Sequence, residues 1–107
     1  NPDILAAVAA RADAPFTIGF AAETENLLAN AQQKLIDKGI DLIAANPVGE
    51  TGSGFDADHN TLTLIDKDGH TELGRQTKSQ LARELIIHIA KRFHAKNTIK
   101  DSRQTYR

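Results

Sequence analysis

Two segments decide the fold class: Phe16-Thr17-Ile18-Gly19-Phe20-Ala21 and, further along, Asp41-Leu42-Ile43-Ala44-Ala45. Both are short and nearly continuous apolar runs, and the first is rich in aromatic and β-branched residues, which is typical of buried strands. The residues between them predict a helix over about 25–38, which begins after a Thr24 cap and ends at Gly39. Strand, helix and strand at this spacing predict a parallel βαβ unit with helices on both faces of the sheet.

A further helix precedes this unit. Asn1 is typical of an N-cap, Pro2 of the first helical position, and Asp3 of an acid in the first turn. Apolar residues then recur at helical spacing up to about Arg11, which predicts a helix ahead of the first strand.

The residues after the unit predict a hairpin and a second long helix. Residues 61–66 alternate as a strand does, Asp68-Gly69 is a tight-turn pair, and residues 71–73 are expected to return antiparallel. Thr77 and Gln80 then form a capping box for an amphipathic helix that ends near position 94, and the polar residues beyond it predict a loose tail.

These elements predict an α/β fold, a Rossmann-like three-layer sheet with a parallel βαβ core and an antiparallel hairpin. The chain has 107 residues, enough for one compact domain, which we divide into 1–94 and a tail over 95–107. It opens at Asn1 and contains no methionine, so we expect an incomplete part of a larger domain.

Composition narrows the function classes. A formal net charge of -1 argues against nucleic-acid binding, and the chain has no apolar run of about 18 residues that would predict a membrane span. The absence of cysteine excludes disulfides and thiolate chemistry from this chain. The sequence shows no secretory leader either, and we therefore expect a cytoplasmic location.

Chemistry is expected beyond the carboxyl ends of the parallel strands, where ligands gather in open α/β sheets. Phe20 lies at one such end and suits either stacking on a flat ring or packing in the core. Lys34 and Lys38 lie four residues apart, so they share a helix face that either meets phosphates or is simply a solvated flank. The residues alone leave both choices open.

Other motifs are excluded by their spacing. The glycine-rich run over 49–54 lacks the Gly-Lys-Ser/Thr ending of a phosphate-binding loop. The run that begins at Asp56 resembles a calcium loop, but Thr61 and Lys67 stand where that loop needs glycine and glutamate. The four histidines have no zinc-like spacing, so we predict no protein-held metal. No serine–histidine–acid triad can be assembled with any specificity, and the catalytic residues stay unassigned.

Longer strings carry a resemblance to a known family. The chain contains, in order, Asn1-Pro2-Asp3-Ile4, Gly19-Phe20-Ala21-Ala22-Glu23-Thr24, the pair Lys34 and Lys38, Asp41-Leu42-Ile43-Ala44-Ala45-Asn46 and Gly54-Phe55-Asp56-Ala57-Asp58-His59-Asn60. Together these strings resemble phosphopantothenate–cysteine ligase, the second half of the bacterial bifunctional flavoprotein of coenzyme A synthesis. The resemblance runs from Asn1 to about Phe93.

The resemblance implies a dimeric, Rossmann-like domain that uses CTP with magnesium to join 4'-phosphopantothenate to cysteine. It also implies that FMN, where present, belongs to a decarboxylase domain of the parent protein. Position by position, it assigns nucleotide binding to Asn1, Pro2, Asp3, Ile4, Phe20, Lys34 and Lys38. Asn46, Phe55, Asp58 and Asn60 match patterned family positions without an assigned role.

The chain also departs from the family. Pro47 stands where the family often has an acid, which removes any role of that acid. The family's glycine-rich nucleotide segment, substrate-binding asparagine and flap lysine have no counterpart in this sequence, because they precede the part that Asn1 begins. We therefore expect the chain alone to be catalytically incomplete.

Two other hypotheses remain from the residues. The chain is a Rossmann-like module for a different nucleotide, or it has a structural role in which the hairpin over 61–73 supplies a dimer contact. Preference for CTP over other nucleotides separates the first of these from the ligase hypothesis.

Overall fold

The computed structural model of the protein describes residues 3–48 and 59–105. The elements are α1 (Ile4–Ala9), β1 (Ile18–Glu23), α2 (Leu27–Lys38), β2 (Leu42–Pro47), β3 (His59–Asp66), β4 (Gly69–Thr77) and α3 (Lys78–Thr105). The four strands form one sheet in the order β1-β2-β3-β4. β1 and β2 are parallel, whereas β3 and β4 join antiparallel. The predicted α/β class, with a parallel βαβ core and an antiparallel hairpin, is confirmed.

The parallel pair fixes where the candidate site lies. β1 and β2 pair along their whole length, from Ile18 opposite Leu42 to Glu23 opposite Pro47. Helix α2 connects the two strands and ends at Gly39, as predicted. Gly39 has a φ of 66°, a left-handed conformation that glycine adopts without a Cβ clash. The carboxyl ends of the two strands therefore lie side by side.

Helices cover both faces of the sheet, as the apolar strands predict. Adjacent residues of a strand point to opposite faces. Ile43 and Ile65 accordingly pack with α1 and α2, while Leu42 and Leu64 pack with α3. All four side chains are fully buried, so the core consists of two apolar layers with the sheet between them.

The hairpin turns at Asp68-Gly69, as predicted, and is tied to α3. The side chain of Asp66 accepts hydrogen bonds from the backbone N–H groups of Asp68, at 2.9 Å, and Gly69, at 3.1 Å. Its other oxygen accepts a hydrogen bond from Arg92 Nε at 2.6 Å. Burial raises the pKa of Asp66, but the hydrogen bonds from Arg92 and the turn outweigh it, and the pKa lies below the ordinary value.

We predict that Asp66→Asn lowers the free energy of unfolding at pH 7 by about 1–2 kcal/mol, because the amide loses a charge-assisted bond to Arg92. An aspartate whose pKa is lowered by folding stabilises the fold above the unfolded pKa of about 4 and loses that contribution as the pH falls. The difference between the two proteins should therefore shrink below about pH 4.

Urea denaturation between pH 3 and pH 7 measures this difference. Asp68→Asn is the matched control, since its side chain is exposed at the same turn and Asn-Gly also favours a hairpin. A difference between wild type and Asp66→Asn that stays constant with pH would contradict the role of the Asp66 charge.

Helix α1 begins later than predicted. Asp3 is the N-cap and not a residue of the first turn: its backbone is extended, and its Oδ1 accepts a hydrogen bond from the Ala6 N–H at 3.1 Å. An aspartate oxygen satisfies a free N–H of the first turn as well as an asparagine does. The predicted N-cap Asn1 and its neighbour Pro2 lie outside the described residues.

Helix α2 also begins later, and Thr24 does not cap it. Strand β1 continues to Glu23 instead of ending at Ala21, and the chain turns at Asn26, which has a left-handed backbone with φ of 48°. Asparagine tolerates this conformation better than most residues do. The N-cap position is therefore Asn26, so the predicted Thr24 cap is wrong, and Asn26 itself makes no side-chain capping bond.

Helix α3 extends beyond its predicted end. The capping box is confirmed, because Thr77 and Gln80 each accept a hydrogen bond from the other's backbone N–H at 3.1 Å. The helix then continues past position 94 to Thr105, so the predicted end near position 94 is wrong. No glycine or proline interrupts this segment, and Lys96 Nζ ties it to Asp41 at 2.8 Å.

Candidate functional site

One end of the candidate site lies at the carboxyl ends of β1 and β2. The last residue of β1 is Glu23, and its backbone carbonyl accepts a hydrogen bond from the Val48 N–H at 2.9 Å. This bond holds the chain leaving β2 against the end of β1. The glycine-rich run that follows, including Phe55 and Asp58, lies outside the described residues.

Lys34 of α2 contacts this end of β1 directly. Its Nζ lies 2.7 Å from Oε2 of Glu23, whose side chain is only 8% exposed, whereas the Lys34 side chain is 46% exposed. Glu23 shares the inward orientation of Gly19 and Ala21 along β1, because these alternate residues point toward α2. The ion pair therefore joins a buried carboxylate to an ammonium group at the surface.

Lys38, one helical turn further, contacts a different element. Its Nζ donates to Oδ2 of Asp3, while Oδ1 of Asp3 caps α1. The hydrogen bond from Lys38, followed by the one from the Ala6 N–H, holds the pKa of Asp3 below its ordinary value. Asp3, one of the predicted nucleotide-binding residues, is thereby joined to α2 at the second predicted lysine.

The two lysines lie on one flank of an unbroken helix. Helix α2 runs from Leu27 to Lys38 without interruption, so neither lysine is brought to its N-terminal end. A ligand that meets both must extend along the flank of α2, between the end of β1 and the start of α1. A triphosphate, which is long and carries several negative charges, has a suitable shape and charge for such a flank.

The structure places Phe20 apart from the lysines. Phe20 is 72% exposed and points to the opposite face of β1 from Glu23. The alternative that Phe20 packs in the core is wrong, since the ring is at the surface. Ile4 is also exposed, at 71%, on the first turn of α1. Asn1 and Pro2 lie outside the described residues, so the structure brings together three of the seven predicted residues: Asp3, Lys34 and Lys38.

Two further patterned positions lie near the carboxyl ends. Asn46 belongs to β2 and Asn60 to β3. The side-chain oxygen of Asn60 is buried without a hydrogen-bond partner in the described part of the chain. A buried polar atom of this kind is uncommon in folded proteins.

An open cavity lies elsewhere. It has a volume of about 640 Å³ between the start of α2 and the face of β3 and β4, and none of the described nucleotide-binding candidates (Asp3, Ile4, Phe20, Lys34 and Lys38) lines it. Its walls include the apolar residues Leu27, Leu28 and Leu62. We place the candidate site on the flank of α2 and not in this cavity, because both predicted lysines lie on that flank and none of the described residues that line the cavity is cationic.

Two other kinds of functional feature, a metal cluster and a membrane-spanning helix, are absent from the described residues. Within residues 3–48 and 59–105, no three His, Cys, Asp or Glu side chains lie together in a way that would hold a metal ion. His88 instead contacts Arg92, with Nδ1 3.2 Å from Nη1. None of the helices in the described ranges is long and apolar enough to cross a membrane.

Glu23 is the residue that the sequence analysis missed, because it enters there only within the string over 19–24 and receives no role of its own. The alternation of residues along β1 could have identified Glu23 from the sequence. Along β1, Gly19, Ala21 and Glu23 share one face, so the strand pattern places a carboxylate on the covered side. A buried carboxylate needs a positively charged partner, and a lysine on α2, the helix that covers this face, can supply one.

Comparisons with known proteins agree on one family. Residues 1–93 match the model of the DNA/pantothenate metabolism flavoprotein C-terminal domain. The chain is 45% identical over 98 residues to the coenzyme A biosynthesis bifunctional protein CoaBC of Escherichia coli K12, covering 91% of this chain and 24% of that protein. The corresponding protein of Bacillus subtilis is 40% identical over 89 residues, covering 82% of this chain and 22% of that protein. The chain thus spans about a quarter of the length of these relatives.

Solved structures support the same family. The crystal structure of the C-terminal domain of a coenzyme A biosynthesis bifunctional protein CoaBC aligns with a TM-score of 0.68 and 34% identity, covering 91% of this chain and 43% of that one. A DNA/pantothenate metabolism flavoprotein from Streptococcus pneumoniae shares the fold, with a TM-score of 0.69 and 23% identity. The family model, the relatives and the fold together show that this chain belongs to the DNA/pantothenate metabolism flavoprotein C-terminal domain family.

Proposed function

We propose that the chain supplies part of the nucleotide site of a CTP-dependent ligase that joins 4'-phosphopantothenate to cysteine in coenzyme A biosynthesis. The relatives named as coenzyme A biosynthesis proteins support this assignment. In the proposed reaction, a carboxylate oxygen of phosphopantothenate attacks the α-phosphorus of CTP and pyrophosphate leaves. The cysteine amine then attacks the acyl carbon of the cytidylate, CMP leaves, and the amine loses a proton.

The observation that carries the proposal is the pair of lysines along one flank of α2, each fastened by a carboxylate of another element. Positioned ammonium groups neutralise the phosphates and hold the α-phosphorus in line with the attacking carboxylate. Because Glu23 and Asp3 are both engaged by lysines, magnesium would be held chiefly by the nucleotide's own phosphates, where it adds positive charge beside the leaving pyrophosphate.

The remaining parts of the proposed enzyme lie beyond this chain. Its match to about a quarter of the relatives supports the proposal that an upstream half supplies the glycine-rich segment, the substrate-binding asparagine and the flap lysine. Any FMN belongs to a decarboxylase part of the parent protein. We propose a cytoplasmic homodimer, for which β4 offers a contact, because its outer edge is unpaired in the sheet of described strands.

Calorimetric titration with Mg-CTP, and with Mg-ATP as control, tests the proposal. Two proteins are compared: the chain itself, and a hybrid in which the chain replaces the matching 98 residues of the Escherichia coli relative. The hybrid is expected to bind Mg-CTP at least about tenfold more tightly than Mg-ATP, since discrimination of this size needs only about 1.4 kcal/mol.

The hybrid is also expected to release pyrophosphate when it is given CTP, 4'-phosphopantothenate and cysteine together. Binding by the hybrid but not by the chain alone would show that the upstream half completes the pocket. If a folded hybrid bound no CTP, the ligase assignment would be abandoned. Equal binding of CTP and ATP would favour a module for a different nucleotide.

A further inference from the structure

The ion pair between Glu23 and Lys34 is unequally buried. The carboxylate is 8% exposed and the lysine side chain is 46% exposed, so the carboxylate is fixed inside while the ammonium group faces outward. Removing a carboxylate from water costs several kcal/mol, and the attraction of a buried pair often does no more than offset that cost. Stability alone therefore gives a weak reason for a charged residue at this position.

Glu23, which pairs with Lys34, is held more firmly than Asp3, which pairs with Lys38. Its backbone is in β1, paired with β2 opposite Pro47, and its carbonyl accepts the Val48 N–H. Asp3, which contacts Lys38, has a side chain 45% exposed and stands at the start of a six-residue helix. Of the two carboxylates, Glu23 is thus the one built into the sheet.

The geometry leaves Lys34 able to bind a second group. A lysine ammonium has three N–H donors and Glu23 accepts one of them at 2.7 Å, so donors remain for an anion on the exposed side. A free lysine side chain loses rotamer entropy when it is fixed in one arrangement. The bond to Glu23 fixes much of that arrangement before any ligand arrives.

From these observations we infer that Glu23 is a positioning residue: its buried carboxylate aims the Lys34 ammonium group at the phosphates of the nucleotide. This inference rests on the proposed nucleotide site. A masking role of Glu23 predicts the opposite effect on phosphate binding. If Glu23 merely neutralised Lys34, removing its charge would free the ammonium group and tighten phosphate binding.

The test measures Mg-CTP affinity in the hybrid with Glu23→Gln and Glu23→Asp. Glutamine keeps the shape without the charge, and aspartate keeps the charge but withdraws it by one methylene. Both are expected to weaken binding by about three- to tenfold, as the ligand must then order the lysine itself. Glu25→Gln is the matched control, because Glu25 lies two residues away with an exposed side chain.

A double-mutant cycle separates positioning from a general structural role. In a Lys34→Gln background, Glu23→Gln is expected to cause no further weakening, since the side chain that it positions is gone. In a Lys38→Gln background, it should cause its full weakening, because Lys38 contacts Asp3 and not Glu23. A structural effect of Glu23 would instead appear equally in both backgrounds.

Each outcome decides between the hypotheses. Equal or tighter CTP binding by Glu23→Gln, or the same weakening in both lysine backgrounds, would overturn the positioning role. Either result would leave the nucleotide site intact, provided that the unmutated hybrid binds CTP. Failure of the unmutated hybrid to bind CTP would instead remove the proposed function on which the inference depends.

Discussion

Glutamine at both Lys34 and Lys38 is expected to weaken Mg-CTP binding to the hybrid by about 100-fold or more, because each charge-assisted bond to a phosphate contributes about 1.5–3 kcal/mol. Glutamine removes the positive charge but keeps an N–H donor toward Glu23 and Asp3. Calorimetric titration of the double variant and of each single variant measures the loss. Each single variant should lose about tenfold, the smallest effect that such a bond predicts.

Lys91→Gln is the control for a general loss of charge. Lys91 is exposed on α3, which packs on the other face of the sheet from α2, and its replacement should leave CTP affinity within about twofold, since surface changes away from the site have small effects. Circular dichroism must show that each variant keeps the fold. A folded double variant that binds CTP as tightly as the unmutated hybrid would exclude the flank of α2 as the phosphate site.

The largest effect on stability is expected from Leu64→Ala, which should lower the free energy of unfolding by about 2–5 kcal/mol. Leu64 is fully buried in β3, between Leu42 and Ala44 of the adjacent strand and the apolar face of α3. Truncation removes buried apolar surface and leaves a cavity that a paired strand cannot easily close. The loss is a large part of the 5–15 kcal/mol that stabilises a typical domain.

Urea denaturation of wild type and variant measures this loss. Ile36→Ala is the matched control, since Ile36 also carries a branched aliphatic side chain but is 70% exposed on α2. Its replacement should change stability by no more than about 0.5 kcal/mol. A cost below about 1 kcal/mol for Leu64→Ala would mean that α3 does not pack on the sheet as the structure shows.

Local sequence predicted the elements whose causes are local. The apolar runs at β1 and β2, the glycine that ends α2, the Asp68-Gly69 turn and the Thr77–Gln80 capping box all act within a few residues, and all are confirmed. The starts of α1 and α2 were placed incorrectly because several polar residues near each start are able to cap a helix, and sequence alone does not choose among them. The continuation of α3 beyond position 94 was missed because its residues are polar.

The residues of the candidate site were predicted in a different way from the helices and strands. Periodicity showed only that Lys34 and Lys38 share a helix face, and the resemblance supplied their proposed nucleotide role. Their partners come from the tertiary structure, because Glu23 lies 11 residues from Lys34 and Asp3 lies 35 residues from Lys38. The structure also separates Phe20 from both lysines by placing its ring on the opposite face of β1.

The order of helices and strands, the parallel βαβ unit and the family could all be predicted from the amino-acid sequence alone. These follow from patterns of neighbouring residues, since strand alternation and helix periodicity depend on backbone geometry within a few positions. The packed structure was needed to show which carboxylate holds which lysine, and which face of the sheet each of α2 and α3 covers. Such contacts depend on how whole elements pack against each other, because a side chain meets a distant partner only after both of their backbones have been placed.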